Sequence, residues 1–95
     1  MKIVITDQAL QWFLNEMDVQ FGDTIRFYAR YGGSNPFHEG FSLGMSKDDP
    51  ANPSVIAKHD GITFFIEEDD LWFFNGYDLY VDFDQELEEL IYDYK

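Results

Sequence analysis

The stretch that decides the fold runs from Gly61 to Phe83 and reads GITFFIEEDDLWFFNGYDLYVDF. Its first part, Ile62 to Ile66, is a continuous apolar run, as expected of a strand covered on both faces. Four acidic residues, Glu67 to Asp70, follow, and acids in a first helical turn complement the helix dipole. Asn75-Gly76 favours a turn, and apolar residues alternate with polar ones from Leu79 to Phe83. The stretch therefore predicts a strand, a short helix, a turn and a second strand.

The residues around this stretch predict one longer helix and several more strands. Leu10, Phe13, Leu14 and Met17 recur at the spacing of an amphipathic helix, and Thr6 or Asp7 is its expected N-cap. The other predicted elements are strands at Lys2–Ile5, Thr24–Tyr31, Phe41–Met45, Val55–Lys58 and Ile91–Tyr94, and a helix-like segment at Gln85–Leu90. We therefore predict a compact α+β fold, mostly β, of short strands with one clear N-terminal helix and one or two short helices.

Length, charge and composition limit the function classes. The chain has 95 residues, which predicts a single domain spanning 1–95. Its formal net charge is −13, and most of the acids lie after residue 60, so phosphate backbones and anionic membranes are disfavoured partners. There is no cysteine, which excludes disulfides, thiolate metal sites and a cysteine nucleophile. No signal peptide or membrane span is evident, and we expect a cytoplasmic protein.

A resemblance to a known family follows from the order of these elements. The Gly61–Leu79 pattern, together with the run from Arg30 to Ser34, resembles the HesB/IscA-like iron–sulfur assembly proteins, and within them the cysteine-free YneR-type subgroup. The resemblance implies that fold, with Gly32-Gly33-Ser34-Asn35 standing at the family's first metal-binding loop. Ser34, or Gly33, takes the place of the loop cysteine, and the C-terminal thiols are also missing. An iron–sulfur cluster is therefore not expected, because such clusters need thiolate ligands.

Candidate sites lie in the glycine-rich loop and on two other elements. His38 and Glu39 could ligate iron or zinc, although an ordinary solvated loop explains them as well. Arg26 and Arg30 share a strand face and could bind an anion, with cross-strand ion pairing as the alternative. A helix of barely two turns cannot bury every aromatic of Leu71 to Phe74, so we expect Trp72 to be exposed and available to a partner.

These observations favour a non-enzymatic protein. Neither a nucleophile elbow nor a phosphate-binding loop is present, and no triad is evident. The leading hypothesis is a domain without resident cofactor that acts through a protein partner, as a monomer or homodimer, near iron–sulfur cluster or iron metabolism. The alternatives are a thiol-free iron or zinc protein using His38 and Glu39, and an acidic protein-interaction module using residues 60–95.

Overall fold

Two β-sheets, one α-helix and one 3₁₀ helix make up the computed structural model, which describes residues 1–95. The strands are β1 (Ile3–Ile5), β2 (Thr24–Ser34), β3 (Glu39–Lys47), β4 (Pro53–His59), β5 (Ile62–Glu67), β6 (Leu79–Asp84) and β7 (Glu89–Tyr94). Helix α1 spans Asp7–Glu16, and the 3₁₀ helix spans Glu68–Phe74. About 51% of the chain lies in strands, which confirms the predicted α+β, mostly β fold. Neither helix is long and apolar enough to cross a lipid bilayer.

The two sheets mix parallel and antiparallel pairs. The larger sheet has the order β3-β2-β5-β4, and the smaller one has the order β1-β6-β7. Hairpins join β2 to β3, β4 to β5 and β6 to β7, whereas β2–β5 and β1–β6 are parallel pairs. The β4–β5 turn has positive φ at Asp60 (51°) and Gly61 (80°), as a two-residue type I′ turn requires. Gly61 at this position therefore fixes the register of the hairpin.

One hydrophobic core lies between the sheets and α1. It contains 14 buried residues drawn from both sheets, α1, the 3₁₀ helix and the segment after α1. At its centre, the Phe13 ring of α1 lies 6.3 Å from Phe27 and 5.1 Å from Phe64, measured between centroids. Phe65 and Ile66 are also fully buried, so β5 is covered on both faces as its apolar run predicts. The core thus joins all parts of the chain into one packed unit.

Helix α1 begins with a side-chain cap that also ties it to β6. The Thr6 hydroxyl accepts a hydrogen bond from the Ala9 amide (3.2 Å) and donates one to Asp82 Oδ1 (2.8 Å). Thr6, and not Asp7, is therefore the N-cap. The Phe83 backbone amide and, to a smaller extent, the Thr6 hydroxyl donate hydrogen bonds to the Asp82 carboxylate, and these bonds hold the pKa of Asp82 below its ordinary value. Capping and the helix-to-sheet contact thus depend on the same threonine.

The helix-like segment predicted at Gln85–Leu90 was wrong. Residues 85–88 form the β6–β7 turn, and β7 begins at Glu89. Asp84 Oδ1 accepts hydrogen bonds from the backbone amides of Glu86 (2.9 Å) and Leu87 (3.2 Å), which stabilises the turn. Glu88 then adopts positive φ (54°), which a continuing helix cannot contain. Pairing with β6 therefore overrides the helical propensity of the glutamates and leucines.

Candidate functional site

The glycine-rich segment forms the far end of the β2–β3 hairpin. β2 continues through Gly32 and Gly33 to Ser34, and its pairing with β3 shifts register between Tyr31 and Ser34. Both glycines have positive φ, 106° and 72°, which glycine adopts without steric penalty. The predicted loop is therefore an irregular extension of a strand, and it projects past the core.

Asn35 closes this end of the hairpin with its side chain. Its Oδ1 accepts hydrogen bonds from the backbone amides of Phe37 (3.0 Å) and His38 (2.7 Å). The backbone N–H of Asn35 donates to the His38 carbonyl at 3.2 Å. Asparagine favours such turns because its side chain can bond the backbone two or three residues ahead. The turn fixes where the Phe37 and His38 rings lie.

His38 and Glu39 do not converge on a common point. The His38 ring packs against Trp72 (4.9 Å between centroids) and Phe73 (5.8 Å), and its Nε2 is buried without a hydrogen-bond partner. Glu39 is exposed to solvent. No group of three or more histidine, aspartate or glutamate side chains has a metal-binding arrangement. The geometry therefore gives the predicted iron or zinc site no support, and the imidazole serves in an aromatic cluster.

An aromatic surface crosses from the hairpin to the 3₁₀ helix. Tyr31 and Phe41 are directly opposite each other in β2 and β3, with ring centroids 5.8 Å apart, and Phe41 contacts Trp72 at 5.3 Å. Tyr31 is 88% exposed and Trp72 is 47% exposed. We call Tyr31, Phe41 and Trp72 the aromatic band. Trp72 is exposed as its short helix predicts. Strand alternation predicts instead that Tyr31 shares the core-facing side of Ile25 and Phe27, and its exposure shows that this prediction was wrong.

The two arginines have different environments. Arg26 lies 2.6 Å from Asp70 and 3.7 Å from Asp48, and the hydrogen bond to Asp70 raises the pKa of Arg26. Arg30 is exposed, donates from Nε to Ser42 Oγ at 3.3 Å and forms no ion pair. Arg26 therefore forms ion pairs, but with the 3₁₀ helix and the segment after β3 and not across strands as the alternative describes. Arg30 keeps its charge free for another group.

The acidic run Glu67–Asp70 does not form a cation site. Glu67 is buried and accepts hydrogen bonds from the backbone amides of Ala51 and Asn52, which fixes the loop before β4. Asp70 is 8% exposed, and besides Arg26 it accepts a long bond (3.4 Å) from the Ala29 amide. The two middle acids are exposed. These structural roles of Glu67 and Asp70 have no local sequence signal, because their partners are distant in the chain.

His59 has a partner of its own. Its Nε2 lies 3.1 Å from Asp7 Oδ1, which joins the end of β4 to the start of α1. His38 packs instead against the aromatic rings of the 3₁₀ helix. The two histidines therefore have separate environments and separate roles.

The whole chain aligns with small bacterial proteins. It is 45% identical over 95 residues to the pyruvate dehydrogenase inhibitor of Bacillus subtilis, and the alignment covers 100% of both chains. This chain belongs to the family of that inhibitor. Uncharacterised proteins of Staphylococcus epidermidis (34% identical over 98 residues) and Staphylococcus saprophyticus (32% over 95 residues) are further relatives, with 97% of each chain covered. No family model and no solved structure matches the chain.

The comparisons overturn the assignment to the HesB/IscA-like family and its YneR-type subgroup. No family model matches, and the full-length relative is named for inhibition of pyruvate dehydrogenase. The predicted association with iron–sulfur cluster or iron metabolism was therefore wrong. The Gly61–Leu79 pattern describes an order of strands and turns, and such an order does not fix a function. The alternatives, thiol-free metal binding and an acidic interaction module, gain no support either.

Two other functional predictions agree with the relative. An inhibitor is a regulatory protein, and the chain, as predicted, is not an enzyme. The relative is also named for action on another protein, in agreement with the predicted protein partner. The site is therefore to be sought on an exposed surface that a protein can cover.

Proposed function

We propose that this chain inhibits pyruvate dehydrogenase by binding it through the aromatic band. The observation that carries the proposal is the 45% identity to the Bacillus subtilis inhibitor across the full length of both chains. Because the alignment leaves no segment of either chain uncovered, both proteins can present the same fold and the same surfaces to a target.

The aromatic band is the surface best suited to such a contact. Tyrosine and tryptophan dominate the energetics of protein interfaces, since each combines a large apolar area with a polar group and few rotatable bonds. Tyr31 and Trp72 expose much of their rings, and Phe41 lies between them as a half-buried base. The hairpin holds Tyr31 opposite Phe41, so little conformational entropy is lost when a partner covers the band.

Inhibition by this surface would be non-covalent and reversible. The chain has no cysteine, and it therefore cannot form a disulfide with its target. A regulator of this kind must reach the enzyme in the same compartment, and the cytoplasmic location stays a prediction that cell fractionation can test.

A binding experiment tests the proposal. Immobilised pyruvate dehydrogenase complex from Bacillus subtilis is exposed to this chain in biolayer interferometry, with the Bacillus subtilis inhibitor as positive control. We expect saturable binding that Trp72→Ala and Tyr31→Ala weaken. Leu87→Ala is the matched control, because Leu87 is also an exposed apolar residue, at 64%. It lies in the β6–β7 turn before the start of β7, whereas the β2–β3 hairpin contacts the opposite end of β7, through Phe37 and Tyr94. Absent binding, while the positive control binds, would refute the proposal.

A further inference from the structure

A second surface feature lies beside the hairpin end, on the side of β7. It is an open cavity with a volume of about 280 Å³. Residues with hydroxyl groups on three strands line it: Ser34 of β2, Ser42 of β3, and Tyr92 and Tyr94 of β7. Ligand pockets in proteins commonly occupy roughly 300–1,000 Å³, so this cavity suits only a small ligand or a single side chain.

The cavity is unusual in this protein because no carboxylate lines it. The chain has 19 acidic residues, yet the lining contains only hydroxyl, amide and apolar side chains. Arg30 is not among the lining residues, but its Nε donates to the lining residue Ser42, and it forms no ion pair. The Arg30 charge also acts on Tyr92, where it lowers the pKa against the larger effect of burial. Arg30 is thus a positive charge close to the cavity, opposed at Tyr92 by the Glu89 carboxylate, which raises the same pKa.

Several hydrogen-bond donors are available around this cavity. Ser42 Oγ already accepts from Arg30, which leaves its own proton to donate. The Asn35 Nδ2 is buried close to the Tyr94 hydroxyl, while its Oδ1 accepts two backbone hydrogen bonds of the turn. Burial raises the pKa of Tyr92 to about 12 and raises the pKa of Tyr94, so both phenols keep their protons at neutral pH. A ligand here must supply acceptors.

We propose that this cavity binds a carboxylate, held by the Arg30 guanidinium and by the hydroxyls of Ser42 and Tyr92. A carboxylate offers two acceptor oxygens and one negative charge, which match one arginine and several neutral donors. A phosphate dianion carries more charge than a single arginine can balance on a protein of net charge −13. The carboxylate can belong to a small free acid or to an acidic side chain of a protein.

A titration of the isolated ¹⁵N-labelled chain tests this site. Acetate represents a free acid, and N-acetylglutamic acid α-amide represents a protein side chain; ionic strength is held constant with chloride. We expect saturable shifts of the amide signals of Ser34, Asn35, Ser42 and Leu43. Tighter binding of acetate would support a free acid as ligand, and tighter binding of the blocked glutamate would support a protein side chain.

Variants separate the site from general electrostatics. Arg30→Met should weaken carboxylate binding roughly tenfold, the effect of losing one charge-assisted hydrogen bond. Lys58→Met is the matched control, because Lys58 is an exposed base on β4 and, unlike Arg30, makes no hydrogen bond to a residue that lines the cavity. Tyr92→Phe removes one of the proposed donors and should also weaken binding. Tyr92 is partly buried and its variant can disturb folding, whereas Arg30 is exposed, so Arg30→Met keeps the test valid.

Three outcomes would overturn the carboxylate site. They are shifts that chloride alone reproduces, equal affinity in Arg30→Met and the parent, and tighter binding of inorganic phosphate than of either carboxylate. Binding is measured without pyruvate dehydrogenase, so failure here leaves the proposed inhibition untouched, and failed inhibition leaves this site untouched.

Discussion

Replacing Tyr31 by alanine is the sharpest single change to the aromatic band. Tyr31 is 88% exposed, and its closest aromatic contact is the edge-to-face pair with Phe41. Such an exposed cross-strand pair stabilises a sheet by roughly 0.2–1 kcal/mol, so the variant should keep its fold. A loss of inhibition can then be assigned to the missing ring.

The size of the effect follows from the exposed area of Tyr31. An aromatic side chain buries roughly 150–250 Å², so at about 25 cal/mol per Å² full coverage of the exposed ring stabilises a complex by at most about 4–6 kcal/mol. Part of this is offset by lost side-chain freedom and by desolvation of the hydroxyl. We therefore expect a loss of roughly 2 kcal/mol in binding, or a roughly 30-fold higher half-inhibitory concentration.

The assay is pyruvate-dependent formation of NADH by purified pyruvate dehydrogenase complex at increasing concentrations of each variant. Tyr31→Phe keeps the ring and should inhibit nearly as well as the parent. Leu87→Ala removes an exposed apolar side chain from the distant β6–β7 turn and should inhibit like the parent. If folded Tyr31→Ala inhibits within about twofold of the parent, less than the effect of an interface hot spot, the aromatic band is not the docking surface.

Three further predictions concern stability and are measured by urea unfolding. Asp70→Asn should lower the free energy of unfolding by roughly 2 kcal/mol, because a neutral amide cannot balance the charge of the half-buried Arg26. The exposed Asp69→Asn should lower it by less than about 0.5 kcal/mol, and equal losses in the two variants would contradict a stabilising ion pair. Gly61→Ala should cost roughly 1–2 kcal/mol, because φ is +80° and the Phe21 ring packs against this glycine; an unchanged midpoint would contradict it. The third concerns alkaline pH: burial raises the pKa of Tyr92 from 10.0 to about 12, so the unfolded chain loses this proton first and stability falls as pH rises from 10 to 12. Tyr92→Phe should lessen the fall, and an identical fall would contradict the assignment.

Local patterns predict the elements whose signals are local. The apolar run Ile62–Ile66 indicates a strand covered on both faces, because the buried residues are themselves the apolar ones. Asn75-Gly76 indicates a turn, because these two residue types are the ones that adopt positive φ most readily. The segment Gln85–Leu90 is different, since its composition fits a helix and only pairing with β6 makes it a turn and a strand. Tertiary contacts therefore decide where local propensity is weak.

The candidate site is predicted only in part, for a related reason. Trp72 is exposed because a short helix cannot bury all its aromatics, and that reasoning needs the sequence alone. Tyr31 alternates with core residues, and only the length of β2 beyond the core shows that it faces solvent. Asp70 is 44 residues from Arg26, so their ion pair leaves no local signal. The proposed function rests on the relative and not on the order of elements.

The central claim is that this chain inhibits pyruvate dehydrogenase. The most direct measurement is pyruvate-dependent NADH formation by the purified Bacillus subtilis complex with increasing amounts of the unaltered chain, beside the Bacillus subtilis inhibitor. The account predicts saturable inhibition that disappears on dilution, because binding is non-covalent. Full enzyme activity at concentrations of this chain well above those at which the relative inhibits would contradict it.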